Sequence, residues 1–243
     1  DRNPVFLVMS STPEKCVQNC RMRRPLAQFW TNSLLALGLG LTGTAWAAHA
    51  YGQFGDIRYP VGFAHFSYVN AAAPKGGEIV LVPPTRQSNF DKYNPFTLKG
   101  SAPPAMLAMM FDTLLVGNMD EPTTAYGLLA SDIAVAADGM SVTFQIHPQA
   151  RFHNGDPVRA ADVGHSFERL TSKQAAPQYR TYFGEVKTAT VLGERTVRFD
   201  FVRPNRELPL IVGSLPVFSR KWGLQGQGHK PLDQMVMDVP ISS

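Results

Sequence analysis

Two cysteines, Cys16 and Cys20, are all that 243 residues contain. A single C-x3-C pair supplies at most half the ligands of a structural zinc site. Both lie ahead of the hydrophobic segment described below, so a chain processed there has no thiol and no disulfide framework. Charge is also scarce. Asp, Glu, Lys and Arg make up 17% of the chain, below the usual share of about a quarter. The formal net charge is +4, but residues 1–50 hold five of the 23 basic groups and two of the 19 acidic ones. The remainder carries 18 against 17. That near balance excludes the clustered Lys and Arg of a nucleic-acid-binding face.

Catalytic patterns are missing as well. His65, His147, His153, His165 and His229 form no H-E-x-x-H and no close pairing with carboxylates at metal spacing. No Gly-Lys-Ser/Thr occurs, so there is no P-loop. Gly164-His165-Ser166-Phe167-Glu168 has the start of a nucleophile elbow but lacks its final Gly and falls within an expected helix. Gly38-Leu39-Gly40-Leu41-Thr42-Gly43 matches G-x-G-x-x-G inside a hydrophobic segment, where no strand precedes it. The expectation is a protein that is no enzyme and uses no metal or cofactor.

Apolar residues make up 44% of the chain, enough for one substantial core. Met22-Arg23-Arg24 is a charged start, residues 34–41 are an apolar run, and Ala45-Trp46-Ala47 and Ala48-His49-Ala50 are both A-x-A cleavage sequences. This pattern reads as a secretory signal peptide over residues 22–50, cut at Ala47 or Ala50. The run is too short for a membrane span, which needs about 20 apolar residues. No cysteine follows it for lipid attachment. Residues 1–21 then stand as an extension upstream of the natural start at Met22.

Turn residues are plentiful, with 19 Pro and 20 Gly, which favours a strand-rich or mixed fold. Residues 51–74 read as an irregular lead-in. Lys75-Gly76-Gly77 predicts a turn and residues 78–82 a strand ended by Pro83-Pro84. Residues 85–104 predict a long polar loop, followed by a short apolar helix over 105–111 with Pro104 in its first turn. Residues 133–136 and 141–146 predict a hairpin around Asp138-Gly139. Alternation of Val142, Phe144 and Ile146 buries one face. Residues 160–170 predict a helix with Val163, Phe167 and Leu170 as its core stripe. A second hairpin is expected from residues 187–192 and 196–201, a short helix over 208–212, and a Gly-rich loop over 223–229.

The order of these features carries a resemblance. Arg151-Phe152-His153-Asn154-Gly155-Asp156-Pro157-Val158-Arg159-Ala160-Ala161-Asp162-Val163 resembles the signature of the family 5 extracellular solute-binding proteins, the dipeptide- and oligopeptide-binding group. Asn154 stands for the usual Asp, and Arg159 for the usual Thr that caps the helix. The second change shifts the cap to Asp156 or costs about 1 kcal/mol. Residues 59–70, 73–77, 120–122 and 205–213 resemble the Yej-type branch, so the likeness runs from about Tyr51 to Ser243. The tail, residues 238–243, resembles a family segment cut before its Gly-Pro-Tyr.

The resemblance implies an α/β fold: a periplasmic-binding-protein-like first lobe over residues 51–243, with a mixed β-sheet, flanking helices and the second lobe missing. It implies capture of oligopeptides in the periplasm by a monomer, and delivery to inner-membrane ABC permease subunits. Other cargo (nickel chelate, haem, a sugar) and a non-functional truncated product are the alternatives. Phe152, His153, Gly155, Pro157, Ala160, Asp162 and Val163 are expected in structural roles: Phe152 packs, Gly155 turns and Asp162 braces the helix. Within the polar loop, Ser88, Asn89, Phe90, Tyr93 and Asn94 are the candidates for ligand contact.

Overall fold

The computed structural model describes residues 48–80, 90–103 and 105–243. Most of the expected signal peptide, including Ala47, and also Ser88 and Asn89 lie outside the described residues. Among the described residues, no helix is long and apolar enough to cross a membrane.

Alternating apolar side chains build the larger sheet. Its strands are β4 (Ala130–Val135), β5 (Ser141–Ile146), β6 (Val186–Val191) and β7 (Thr196–Phe201), in the order β4-β5-β7-β6. Val142, Phe144, Ile146, Val197 and Phe199 have no exposed surface. They meet helix α2 (Ala160–Thr171), whose Val163, Phe167 and Leu170 form the expected stripe. Phe167 lies edge-on to Phe199 at 5.6 Å. Each such ring, fully buried, contributes about 1.5–3 kcal/mol. Helix α3 (Pro177–Tyr182) packs Tyr179 against this core, and helix α4 (Leu208–Gly213) buries Leu208 and Val212 in it.

The smaller sheet contains β1 (Ala50–Gly52), β2 (Leu115–Gly117) and β3 (Thr124–Gly127), in the order β1-β3-β2. Helix α1 (Met106–Met110) precedes β2. Tyr59, Phe63 and Phe66 pack around Tyr126 on this sheet and form a satellite core. The mixed α/β class holds, and every strand pairing among the described residues is antiparallel.

Besides β1, which takes residues 51 and 52 out of the expected irregular lead-in, four local expectations change. Residues 78–80 are not a strand, and Ile79 and Val80 are 74% and 78% exposed. Among the described residues no strand pairs with them, and a strand without a ladder partner has little to hold it. The turn between β4 and β5 spans residues 136–140, wider than a two-residue turn. Only Gly139 takes a positive φ, 67°, while the Asp138 carboxylate accepts the Met140 N–H. Residues 223–229 are not all loop: β8 (Leu224–Gln225) pairs with β9 (Gly228–His229) across Gly226, whose φ is 59°.

The fourth change concerns the start of α2. The cap does not shift to Asp156, whose carboxylate bonds Lys221 and Asn154 instead. Arg159 sits at the N-cap, and a guanidinium accepts nothing. Asp162, three residues on, reaches back and accepts the Arg159 N–H at 3.0 Å, which is half of a capping box.

Candidate ligand-binding groove

The described half of the polar loop begins at Phe90, which lies edge-on to Tyr93 at 4.8 Å and is 53% exposed. Beyond it the loop is tied down. The N–H groups of Tyr93 and Asn94 both donate to Val236 O, at 2.9 and 3.2 Å. Asn94 is fully buried. Its Oδ1 accepts the Phe96 N–H and its Nδ2 donates to Leu232 O. Asn followed by Pro95 suits such a side-chain-closed turn. Lys92 is buried too, its ammonium donating to Thr97 O at 2.7 Å, and burial lowers its pKa. Phe96 anchors the segment in an aromatic cluster with Phe111, Tyr179, Phe218 and Trp222.

This anchoring sets one wall of a groove of about 680 Å³. Pro95, Ala102 and Pro103 come from the loop, Met106 and Leu107 from α1, and Val116 from β2. Leu128, Tyr179 and Pro216 close the far side. The volume suits a ligand site, commonly about 300–1,000 Å³ with mostly apolar lining. Asp112 stands at the rim, where partial desolvation raises its carboxyl above the usual range. Among the described residues strand β2 pairs with β3 alone, so its other edge has no strand partner, and its Val116 lines the groove. Before it, Thr113 bridges to Pro216 and the Asp112 carbonyl accepts the Val217 N–H at 3.0 Å, which fixes the approach.

Of the loop candidates described, Phe90 and Tyr93 present ring surface, whereas the Asn94 side chain is committed to internal bonds. The lining residues Leu107, Val116, Leu128, Tyr179 and Pro216 were not singled out from the sequence. They are scattered over more than a hundred positions and meet only through the fold. One hint existed: a five-residue helix with sequence MLAMM has more apolar side chains than one buried face can use. Leu107 and Met109 are exposed accordingly.

The signature segment lies elsewhere. Phe152 is buried, its N–H donates to Asp156 O, and Gly155 turns with a φ of 85°. Pro157 bridges to Arg151. Ala160 and Val163 are fully buried against the large sheet. The His153 N–H donates to Ser242 O at 3.0 Å. Asp162 joins this turn to the chain after Val217: its second oxygen accepts the Arg220 N–H at 3.0 Å. Ser166 does the same one turn on, donating to Phe218 O and accepting the Phe218 N–H. A second cavity of about 620 Å³ opens between β1 and the β4–β5 turn, lined by Tyr51, Phe54, Ala137, Asn205 and Arg206 among others.

Residues 124–233 match the sequence profile described as "Bacterial extracellular solute-binding proteins, family 5 Middle". The chain is 39% identical over 182 residues to the probable peptide-binding protein YejA of Agrobacterium fabrum, covering 74% of this chain and 28% of that protein. It is 37% identical over 185 residues to YejA of Escherichia coli, covering 76% and 30%. The chain therefore spans less than a third of the length of these curated relatives. Among solved structures, NikA from Brucella suis in complex with Fe(III)-EDTA aligns with a TM-score of 0.50 at 17% identity, covering 63% of this chain and 31% of that one. At that identity the likeness speaks for the fold. Profile, relatives and fold agree: the chain belongs to the family 5 bacterial extracellular solute-binding proteins.

Proposed function

We propose that this chain supplies one wall of the solute cleft in the substrate-binding component of an ABC importer. Its cargo is oligopeptide, taken up in the periplasm after export through the residues 22–50 signal and passed to an inner-membrane permease. The observation that carries this reading is the apolar groove beside β2. A peptide of varied sequence is best held by main-chain hydrogen bonds to a strand edge, with roomy apolar space for its side chains. The groove offers the apolar space, β2 lends it Val116 and has no second strand neighbour among the described residues, and the exposed ring of Phe90 and the half-buried ring of Tyr93 add apolar surface on the same loop. The relative described as a probable peptide-binding protein supports the same cargo class.

The direct test is mass spectrometry of small molecules released from the whole protein. Peptides are the expected result. Recovery of a nickel chelate, haem or a sugar without peptide overturns the cargo assignment. Leu107→Asp and Val116→Asp test the groove itself. Each removes apolar contact worth about 1.5–3 kcal/mol, or roughly ten- to a hundredfold in affinity. Undiminished peptide affinity in both variants puts the cleft elsewhere.

A further inference from the structure

The two A-x-A sequences at residues 45–50 are equivalent as sequence, but the fold treats them differently. Residues 48–50, which a cut after Ala50 would discard, are built into the sheets. The Ala48 N–H donates to Ile133 O at 2.9 Å, and the Ile133 N–H donates back to Ala48 O at 2.8 Å. The Gly127 N–H donates to His49 O at 2.8 Å. The His49 ring nitrogen Nε2 is 2.8 Å from Tyr59 O. Ala50 is 3% exposed, packs with Tyr59 and Tyr126, and pairs with Tyr126 in the ladder between β1 and β3.

Removing these three residues strands the N–H groups of Ile133 and Gly127 and opens the satellite core. Ile133 is 2% exposed with Ala48 in place, so the cut uncovers a strand edge whose N–H and C=O have lost their partner. Loss of Ala48 alone would already break both of its bonds to β4. A cut before Ala48 breaks none of them. The new terminal ammonium keeps its place opposite Ile133 O and donates with a full charge behind it.

We propose that the processing site is the Ala47–Ala48 bond and that Ala48 is the first residue of the mature protein. This rests on the reading of residues 22–50 as a cleaved export signal. The step is hydrolysis by a signal peptidase. One water is consumed, its oxygen bonds the Ala47 carbonyl carbon, the C–N bond breaks, and the Ala48 amine takes up a proton.

The test is to express the full chain in a Gram-negative host and determine the N-terminus of the exported product by intact mass and sequencing. Ala48-His49-Ala50-Tyr51 is the expected start. A start at Tyr51 overturns the proposal and leaves the export reading intact. An uncut, retained chain overturns the export reading and the proposal with it. A second measurement compares melting of the protein beginning at Ala48 with that beginning at Tyr51. A fall of about 5 °C or more is expected for the shorter form, given four lost bonds and an opened core. Equal melting temperatures remove the structural ground for the choice.

Discussion

Asp162 is the most economical place to break this fold. The residue is 4% exposed and each carboxylate oxygen has its own donor. One accepts the Arg159 N–H and caps α2; the other accepts the Arg220 N–H and holds the chain that follows Val217. Asp162→Ala removes both acceptors, offset by a helix-propensity gain of at most about 0.7 kcal/mol. Loss of the cap costs about 1 kcal/mol. The abandoned Arg220 N–H costs about 1–3 kcal/mol, because a partly buried donor without a partner bears its desolvation. The two losses sum to about 2–4 kcal/mol before that offset. Asp162→Asn keeps one acceptor and presents an N–H pair to the other donor, so it should lose nearly as much. Urea unfolding at neutral pH, followed by circular dichroism, measures both through the shift in midpoint at constant slope. A loss below about 1 kcal/mol for Asp162→Ala would show that the two bonds do not brace the turn.

Two other perturbations test separate parts of the fold. An added Cβ at Gly213 would lie 2.6 Å from Leu115 Cδ1, so Gly213→Ala should cost about 1–3 kcal/mol as α4 and β2 are forced apart, read as a lower melting temperature. His165 is held down to about 4, first by burial and then by the neighbouring His229, Arg169 and Arg220. The unfolded chain protonates this ring near 6.5, so stability is full above that pH and falls as pH drops toward 4. Partial exposure trims the effect to about 1–2 kcal/mol. His165→Gln should flatten the stability profile between pH 6.5 and 4, and an unchanged profile refutes the assignment.

Elements with strong local periodicity were legible in the sequence. Helix α2, both hairpins of the large sheet and α4 announce themselves through alternation or a helical stripe, and the core they bury is the one the structure shows. Residues 78–80 were misread because propensity alone cannot provide a ladder partner. The tiny β8–β9 hairpin was hidden because glycines signal a loop and a hairpin turn equally. The groove was illegible for a different reason. Its walls combine Pro95, Val116, Tyr179 and Pro216, whose neighbourhood is a product of tertiary packing. Asn94 shows the converse: a polar residue in a polar loop reads as surface, and the bonds to Phe96 and Leu232 that bury it span 2 and 138 positions.

The pairing of β1 with β3 sets the order of events as the chain is made. Each hairpin of the large sheet closes through neighbours in sequence, β4 with β5 and β6 with β7, and only the join of β5 to β7 reaches across α2 and α3. Such local closure is fast. Strand β1 and the Ala48 bridge before it must wait for partners more than seventy residues downstream, at Tyr126 and Ile133. Until those residues have been made, the N-terminal strand has no ladder to join. The first of the described segments to be made is therefore the one the fold captures last, and it waits without a ladder while the rest of the chain arrives.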